Sequence, residues 1–348
     1  MSRENPITII GGGLAGLALG NALARAGATV TLCEAGLLPR PRVCGEFISG
    51  LKPATVARLG LAEHLRGAAM NHTTGWHAGG RLRWTAELPE PAPGLSRRTL
   101  EARLVESFVA ADGELRLNAR ITDAENTNGR IWAAGRRADA ASPWLGLKIH
   151  CRNLSLGQDL ELHLGRGGYV GAARIEDGRV NICGLFRARP NLRGPRETLL
   201  AAYVAACGLE DFAERIANGE PDSVSVAAVS GLDFTHTWQN EGRVSLGDHQ
   251  AAIPPYTGHG MAMALEHAAA ALDPLLEYAR GQQAWPHTAQ TIRRAVATGR
   301  DPRLRWARTL HPWLLHPLGQ SLLLTLADTR LLPFKFLYHA THGEPAAA

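Results

Sequence analysis

Two glycine-rich stretches set far apart in the chain carry its clearest chemical signal. The first is Gly11-Gly12-Gly13-Leu14-Ala15-Gly16; the second is Gly247-Asp248, followed by Pro254-Pro255-Tyr256-Thr257-Gly258-His259-Gly260. A GxGxxG turn holds a pyrophosphate when a strand precedes it and a helix follows. Gly11 permits the tight turn. Gly13 lets the backbone approach the phosphates, and Gly16 lets the helix pack closely on the strand. Leu14 and Ala15 begin that helix, whose N-terminus aims free N–H groups and partial positive charge at the anion. Glu34 lies about 20 positions past the glycines, where a ribose hydroxyl is bound, and implies an adenosine without a 2′-phosphate.

The second stretch separates FAD from NAD, which needs no second site. Asp248 follows a short buried strand, 243–246, and its acid could accept a hydrogen bond from a ribityl hydroxyl. Pro255 lies in the turn leading to Gly258-His259-Gly260, after which a helix begins with Met261. That helix start would face the pyrimidine edge of a flavin and stabilise the charge that reduction places around N1 and O2. Together the stretches predict FAD, held non-covalently between the two ends of a folded-back domain. The alternative for each is a glycine-punctuated turn with no ligand.

Both turns need scaffolding. The apolar run Ile7-Thr8-Ile9-Ile10 reads as the strand before the first turn, 14–26 as a helix stopped by Gly27, and 29–33 as the next strand. The second helix is expected from Met261 to about Leu272, with Pro274 interrupting it. Alternation in 159–164 and 180–185 predicts antiparallel strands, with Asp177-Gly178 as a hairpin turn. Residues 196–207 read as a helix. Beyond 281 the chain is helical and Leu-rich, with expected breaks at His311-Pro312 and His316-Pro317. The expected fold class is α/β. A Rossmann-like FAD-binding domain (1–68, 95–145 and 235–280) is interleaved with a β-rich substrate domain (69–94 and 146–234), and a helical C-terminal segment covers 281–348. Only 344–348 reads as a disordered tail.

The chain resembles the FAD-dependent oxidoreductases of the p-hydroxybenzoate hydroxylase fold, and within them the geranylgeranyl reductase-like branch. Four stretches carry the resemblance: the first glycine motif, Arg42-Val43-Cys44-Gly45-Glu46-Phe47, Ser96-Arg97-Arg98-Thr99-Leu100 with Leu104, and 247–266. Weaker stretches at 144–148 and 168–171 add to it. The resemblance implies that Arg97 contacts the FAD pyrophosphate region, that Arg42 also reaches the FAD, and that Cys44 lies near the flavin ring. Cys44 reads equally well as a small buried residue in a turn. There are departures: 135–142 replaces the usual Asp-Gly fingerprint, so Asp139 is not expected at the cofactor, and His249 stands where a small residue is common.

A substrate pocket is expected between the flavin and the β-rich sheet. Trp76, Trp84, Tyr169 and His150 are its candidate residues. Tyr169 is favoured because Gly167-Gly168 and Gly171 allow close backbone approach, and each of the four has an alternative reading as core or surface filling. Cys44 and Tyr169 are the candidate catalytic residues. Three activities fit: reduction or dehydrogenation of a lipophilic, isoprenoid- or polyketide-like substrate by hydride transfer through flavin N5; monooxygenation through a flavin hydroperoxide; and non-catalytic electron carriage. No second GxGxxG marks an NAD(P)H domain, so NAD(P)H would act as a transient reductant.

Composition bounds the rest. The hydrophobic content of 45% suits a soluble enzyme with a large core, and the net charge of +5 comes from scattered arginines, which disfavours nucleic acid as a partner. Five dispersed cysteines suggest reduced thiols and a cytoplasmic location, and Met-Ser-Arg-Glu running into the first strand predicts no signal peptide. No apolar run reaches the roughly 18 residues of a membrane span. The 14 histidines show no HxxxH or HExxH spacing, so no metal is expected. Residues 313–338 carry enough leucine and phenylalanine either to pack on the FAD domain or to lid a greasy pocket and touch a membrane.

Overall fold

The computed structural model describes residues 5–122, 127–235 and 242–343; the expected tail at 344–348 lies outside them. The chain opens with β1 (Ile7–Ile10), α1 (Leu14–Arg25) and β2 (Val30–Cys33), then α2 (Pro53–Leu59). The hairpin β3 (Ala69–Ala78) and β4 (Arg81–Gly94) follows, then α3 (Arg97–Ala110), β5 (Glu114–Arg116) and β6 (Arg130–Trp132). A run of strands comes next: β7 (Trp144–Cys151), β8 (Leu160–Gly165), β9 (Gly168–Arg174) and β10 (Val180–Arg187). Helices α4 (Arg196–Ala206) and α5 (Glu210–Asn218) precede β11 (Pro221–Ser230) and β12 (Val244–Ser245). Four helices end the chain: α6 (Gly260–Ala279), α7 (Trp285–Leu315), α8 (Pro317–Asp328) and α9 (Phe334–His342).

β1 is apolar on both faces because it lies at the centre of a parallel sheet covered on both sides. That sheet has the order β12-β6-β1-β2-β5, and every pairing in it is parallel. Its crossover helix α1 packs against α3 and α6. Ile9, Leu17, Phe108 and Leu265 are wholly buried in this core. Ser96 caps α3 by accepting a hydrogen bond from the Thr99 amide, the usual answer to an unpaired first turn. Leu100 and Leu104 then turn inward, so Arg97 is fixed at the helix start.

The second sheet runs β11-β7-β10-β9-β8-β3-β4 and is antiparallel except where β3 meets β8. Asp177 and Gly178 lie in the three-residue turn 176–178 that joins β9 to β10, both at positive φ, a conformation that Gly and Asp tolerate. β4 carries Pro89, Pro91 and Pro93; lacking N–H groups, they are confined to the edge position this strand occupies. Alternation decides the two faces. Ile149, Val170 and Phe186 pack beneath α4 and α5, whereas Leu164, Tyr169 and Leu185 face Leu314 of α7 and Leu324 of α8.

Two helix boundaries differ from expectation. α6 continues through Pro274 to Ala279, and α7 continues through Pro312 to Leu315; the break falls at His316-Pro317 alone. A proline costs a helix one hydrogen bond and a clash. Here buried neighbours hold the helix on either side: Leu272, Leu275 and Tyr278 around Pro274, His311 and Leu314 around Pro312. Tertiary packing outweighs the local penalty.

Phe108 of α3 closes the core under α1, where a Cβ on Gly20 would stand 3.3 Å from its ring. Phe108→Ala should lower unfolding free energy by about 3–5 kcal/mol. Urea unfolding followed by circular dichroism measures this; a loss under about 1 kcal/mol would mean α3 does not depend on that contact.

Candidate functional site

The first glycine turn is built by sterics. A Cβ on Gly11, at φ +110°, would stand 2.3 Å from the Ala133 carbonyl oxygen, and one on Gly16 would stand 2.1 Å from the Gly11 oxygen. Both positions exclude a side chain because β6 and α1 come too close. Gly13 is different: its Cβ would meet nothing nearer than the Ala133 oxygen at 3.9 Å, because it looks into a cavity. Space left at that position, at the mouth of a helix N-terminus, is the space an anion would take.

The second stretch lies against the first. A Cβ on Gly247 would be 3.4 Å from that of Ala15, and the Gly247 amide donates to His267 Nδ1 at 3.0 Å. Both stretches line one cavity of about 770 Å³, within the range of ligand pockets. Gly11, Gly13, Leu14, Ala15, Gly247, Asp248, Pro255, Gly258, Gly260 and Met261 all reach it. Gly16 does not, since its part is the close packing on Gly11. His259 does not line it either. Its ring is wholly buried between the Ser49 carbonyl, 3.0 Å from Nδ1, and the Arg303 guanidinium, 2.8 Å from Nε2, so only its backbone is left to serve a ligand.

Charge is placed along the cavity in sequence. At one end buried Glu34 accepts from the Gly12 amide at 2.7 Å through Oε2 and from the Gly36 amide at 3.2 Å through Oε1. In the middle stand Arg42 and Arg97. Both pair with wholly buried Glu101, at 2.9 Å and 2.5 Å, leaving two guanidiniums for one carboxylate. Nη2 of Arg42 and Nε of Arg97 are buried with no hydrogen-bond partner among the described residues. Buried unmatched donors of a cation suit a phosphate. Asp248 also lines the cavity, where burial raises its carboxyl against the opposing pull of Arg136 and Arg97. Two excess cationic donors, open space at Gly13 and acids at either side fit the pyrophosphate, ribose and ribityl groups of FAD.

Cys44 lines the same cavity, and its Sγ accepts from the Glu46 amide at 3.5 Å. Burial raises its thiol, against the pull of Arg97, so it stays protonated and is not an activated thiolate. Behind it lies a polar knot. Glu46, at φ +57°, takes the Arg97 amide at 3.0 Å, Lys148 Nζ at 3.1 Å and His150 Nε2 at 2.5 Å. Burial alone would raise the Glu46 carboxyl, but these donors, His150 foremost, bring it below its ordinary value. His150 therefore anchors Glu46 and does not line the cavity.

The far end is apolar, walled by Leu185, Leu232, Phe234, Leu310, Leu314 and Leu323. Tyr169 supplies its polar spot, with its hydroxyl 3.3 Å from His311 Nε2. Burial raises Tyr169 well above its ordinary value and lowers His311 to about 4, so both are neutral near pH 7. Trp76 reaches the cavity; Trp84 instead packs edge-on between Trp76 and Phe334. Asp139 caps its own turn through the Ala141 amide and lies off the cavity.

Three participants escaped sequence reasoning. Glu101 was marked only by lying four residues after Arg97 on a helix, the spacing that pairs such charges. His311 was hidden by the Pro312 beside it, and Glu46 stood inside a quoted motif with no role.

No family model matches the chain. It is 27% identical over 172 residues to a menaquinone reductase of Mycolicibacterium smegmatis, an alignment covering 48% of this chain and 40% of that protein. The match thus spans about two fifths of that relative's length. Among solved structures it superposes on PqsL of P. aeruginosa, crystallised with 2-aminobenzoylacetate, with a TM-score of 0.69, 18% identity and coverage of 96% and 100% of the two chains. The p-nitrophenol 4-monooxygenase PnpA from Pseudomonas putida gives 0.71 at 15% identity, covering 100% of each chain. A flavoprotein/dehydrogenase from Cytophaga hutchinsonii gives 0.72 at 12%, covering 97% and 93%. The shared fold is that of the p-hydroxybenzoate hydroxylase-like flavoproteins; the likeness does not single out the geranylgeranyl reductase branch.

Gly13 and Gly16 separate cradle from scaffold. Gly13→Val should fold, since its backbone is extended at φ −79° and its side chain meets open space, yet purify without flavin. Gly16→Val should lose fold and flavin together. Circular dichroism and flavin content read the two; a flavin-loaded Gly13→Val protein would place the cradle elsewhere.

Proposed function

We propose that the protein is an FAD-dependent oxidoreductase acting on a lipophilic substrate. The observation that carries this is one cavity running from Glu34, past Arg42 and Arg97, to an apolar chamber at Tyr169. The chemistry such a cofactor supplies is hydride transfer at flavin N5. In this reading Glu34 holds the adenosine ribose, and the α1 N-terminus with Arg42 and Arg97 neutralises the pyrophosphate. Asp248 takes a ribityl hydroxyl, and the α6 start faces the pyrimidine edge. Leu185, Phe234 and Leu314 exclude water from the reacting face, and Tyr169, held by His311, donates a hydrogen bond to a substrate oxygen. Cys44 stands beside the flavin as a protonated wall residue. NAD(P)H would serve as a transient reductant.

Reduction or dehydrogenation is the first reading, supported by the likeness to a menaquinone reductase. Monooxygenation is the second, supported by the fold shared with PqsL and PnpA. One preparation tests both levels. Acid-released chromophore should run as FAD, and FMN or no flavin after reconstitution would overturn the cofactor. Mixing the reduced protein with oxygen should then give direct reoxidation without an intermediate absorbing at shorter wavelength. Such an intermediate, with oxygen entering the product, would replace reduction by monooxygenation. Tyr169→Phe should keep its FAD and raise KM for an oxygen-bearing substrate about tenfold, the worth of one hydrogen bond.

Substrate would enter from a membrane surface. Helices α7 to α9 line the chamber with Leu314, Leu323 and Leu337, while Trp306, Trp313, Leu318, Leu322 and Phe336 on the same helices, and Leu331 between α8 and α9, are exposed. Leu318 is 76% and Leu331 70% exposed. Arg305, Arg330 and Lys335 are exposed among them, the charge an anionic leaflet attracts. Among the described residues no helix is long and apolar enough to cross a membrane, so the contact is peripheral. Leu318→Glu with Leu331→Glu should keep fold and flavin but abolish sedimentation with phosphatidylglycerol vesicles. Wild-type protein that stays in the supernatant would end the proposal.

A further inference from the structure

The second sheet carries a group of polar side chains on the face that packs against Phe212 of α5. Glu161 and His163 sit two apart on β8 and so share a face; His77 on β3 is the direct register partner of His163. Two ligands on one strand and a third on its neighbour give three donors at sheet spacing without help from a loop. Their ligand atoms all lie within 4.8 Å of one another. Glu161 Oε2 is 2.9 Å from His163 Nε2 and 3.9 Å from His77 Nε2. Ligands of a tetrahedral zinc, with bonds near 2.0–2.1 Å, stand about 3.3–3.4 Å apart, so the widest pair must close by no more than about 1.5 Å.

We propose that His77, Glu161 and His163 form a binding site for a divalent transition metal, most suitably Zn²⁺, that clamps β3 to β8 beneath α5. Three observations support it. His77 Nε2 is buried and has no hydrogen-bond partner among the described residues. Glu161 and His163 are almost wholly buried, and the His163 ring is stacked on Phe212 of α5 at 3.8 Å between centroids. The other Glu161 oxygen is fixed by the Gly157 amide at 2.6 Å, the outer-shell bond a ligating carboxylate usually has.

His77 and His163 are stacked at 4.4 Å with planes 20° apart, so one ring must turn for both lone pairs to meet. His77, with its side chain 15% exposed, has the freedom to do so, and water entering there completes the fourth position. Of the three ligands only Glu161 touches the cavity wall, while Tyr169 and Leu164 hold the opposite side of the sheet. Its role is therefore structural, and the proposal does not depend on the flavin reading. Nor did the sequence announce it: the ligands form E-x-H on one strand and a lone His on another, and no helical HxxxH spacing exists.

The full-length flavin-loaded protein, expressed with zinc and passed through a desalting column, should retain about one zinc per chain by elemental analysis. Adding zinc to chelator-treated protein should raise Tm by several degrees, and cobalt should give the visible bands of a tetrahedral site. His77→Gln, at the half-buried ligand, should remain folded with its flavin and lose all three responses. Glu161→Gln should do the same if it folds. Wild-type protein without retained zinc or thermal shift, or a His77→Gln protein that keeps both, would overturn the site.

Discussion

The cofactor cradle depends on the close approach of α1 to the end of β1. Where Gly16 passes the Gly11 carbonyl, no heavier side chain fits, and where Gly11 passes Ala133, β6 fixes the turn from the other side. That contact sets how far the α1 N-terminus stands from the strand ends. It therefore sets where Gly13 opens into space and where Gly247, packed on Ala15, can bring the second stretch. Arg42 and Arg97 come from a loop and a helix start that have no covalent reason to meet. They are gathered by Glu101, whose burial leaves it no other partners.

Much of this was legible beforehand because it rests on local rules. A strand, a glycine turn and a helix announce themselves through apolar periodicity and the need for missing Cβ atoms. The Asp177-Gly178 hairpin likewise needs residues that tolerate positive φ. What could not be read is what depends on distant partners. Pro274 and Pro312 looked like stops because a proline's cost is local while the burial that overrides it is not. His259 looked like a ligand residue because it sits inside the motif, yet Arg303 of α7, 44 residues away, claims its ring.

The polar content of the interior divides by purpose. At the cradle, positive groups outnumber their partners, and donors are left over for a ligand. In the chamber, the Tyr169 and His311 pair is neutral; with His311 Nε2–H donating to the hydroxyl, Tyr169 keeps its own proton to offer a ligand without burying a charge. Beneath α5, the Glu161 carboxylate keeps its charge with imidazoles beside it. Each arrangement follows from which protonation state burial permits.

Glu46 has a further consequence, for motion. This one carboxylate fastens the loop after β2 to the start of α3 and, through Lys148 and His150, to β7 of the second sheet. Asn181 of β10 adds bonds to the Cys44 and Gly45 carbonyls of the same loop. A hinge that swung the two sheets apart would have to strip several charge-assisted bonds from a group buried away from water. The sheets should therefore move as one body. Breathing that admits a ligand is left to the helices packed over the chamber, whose leucine contacts separate without stranding a charge.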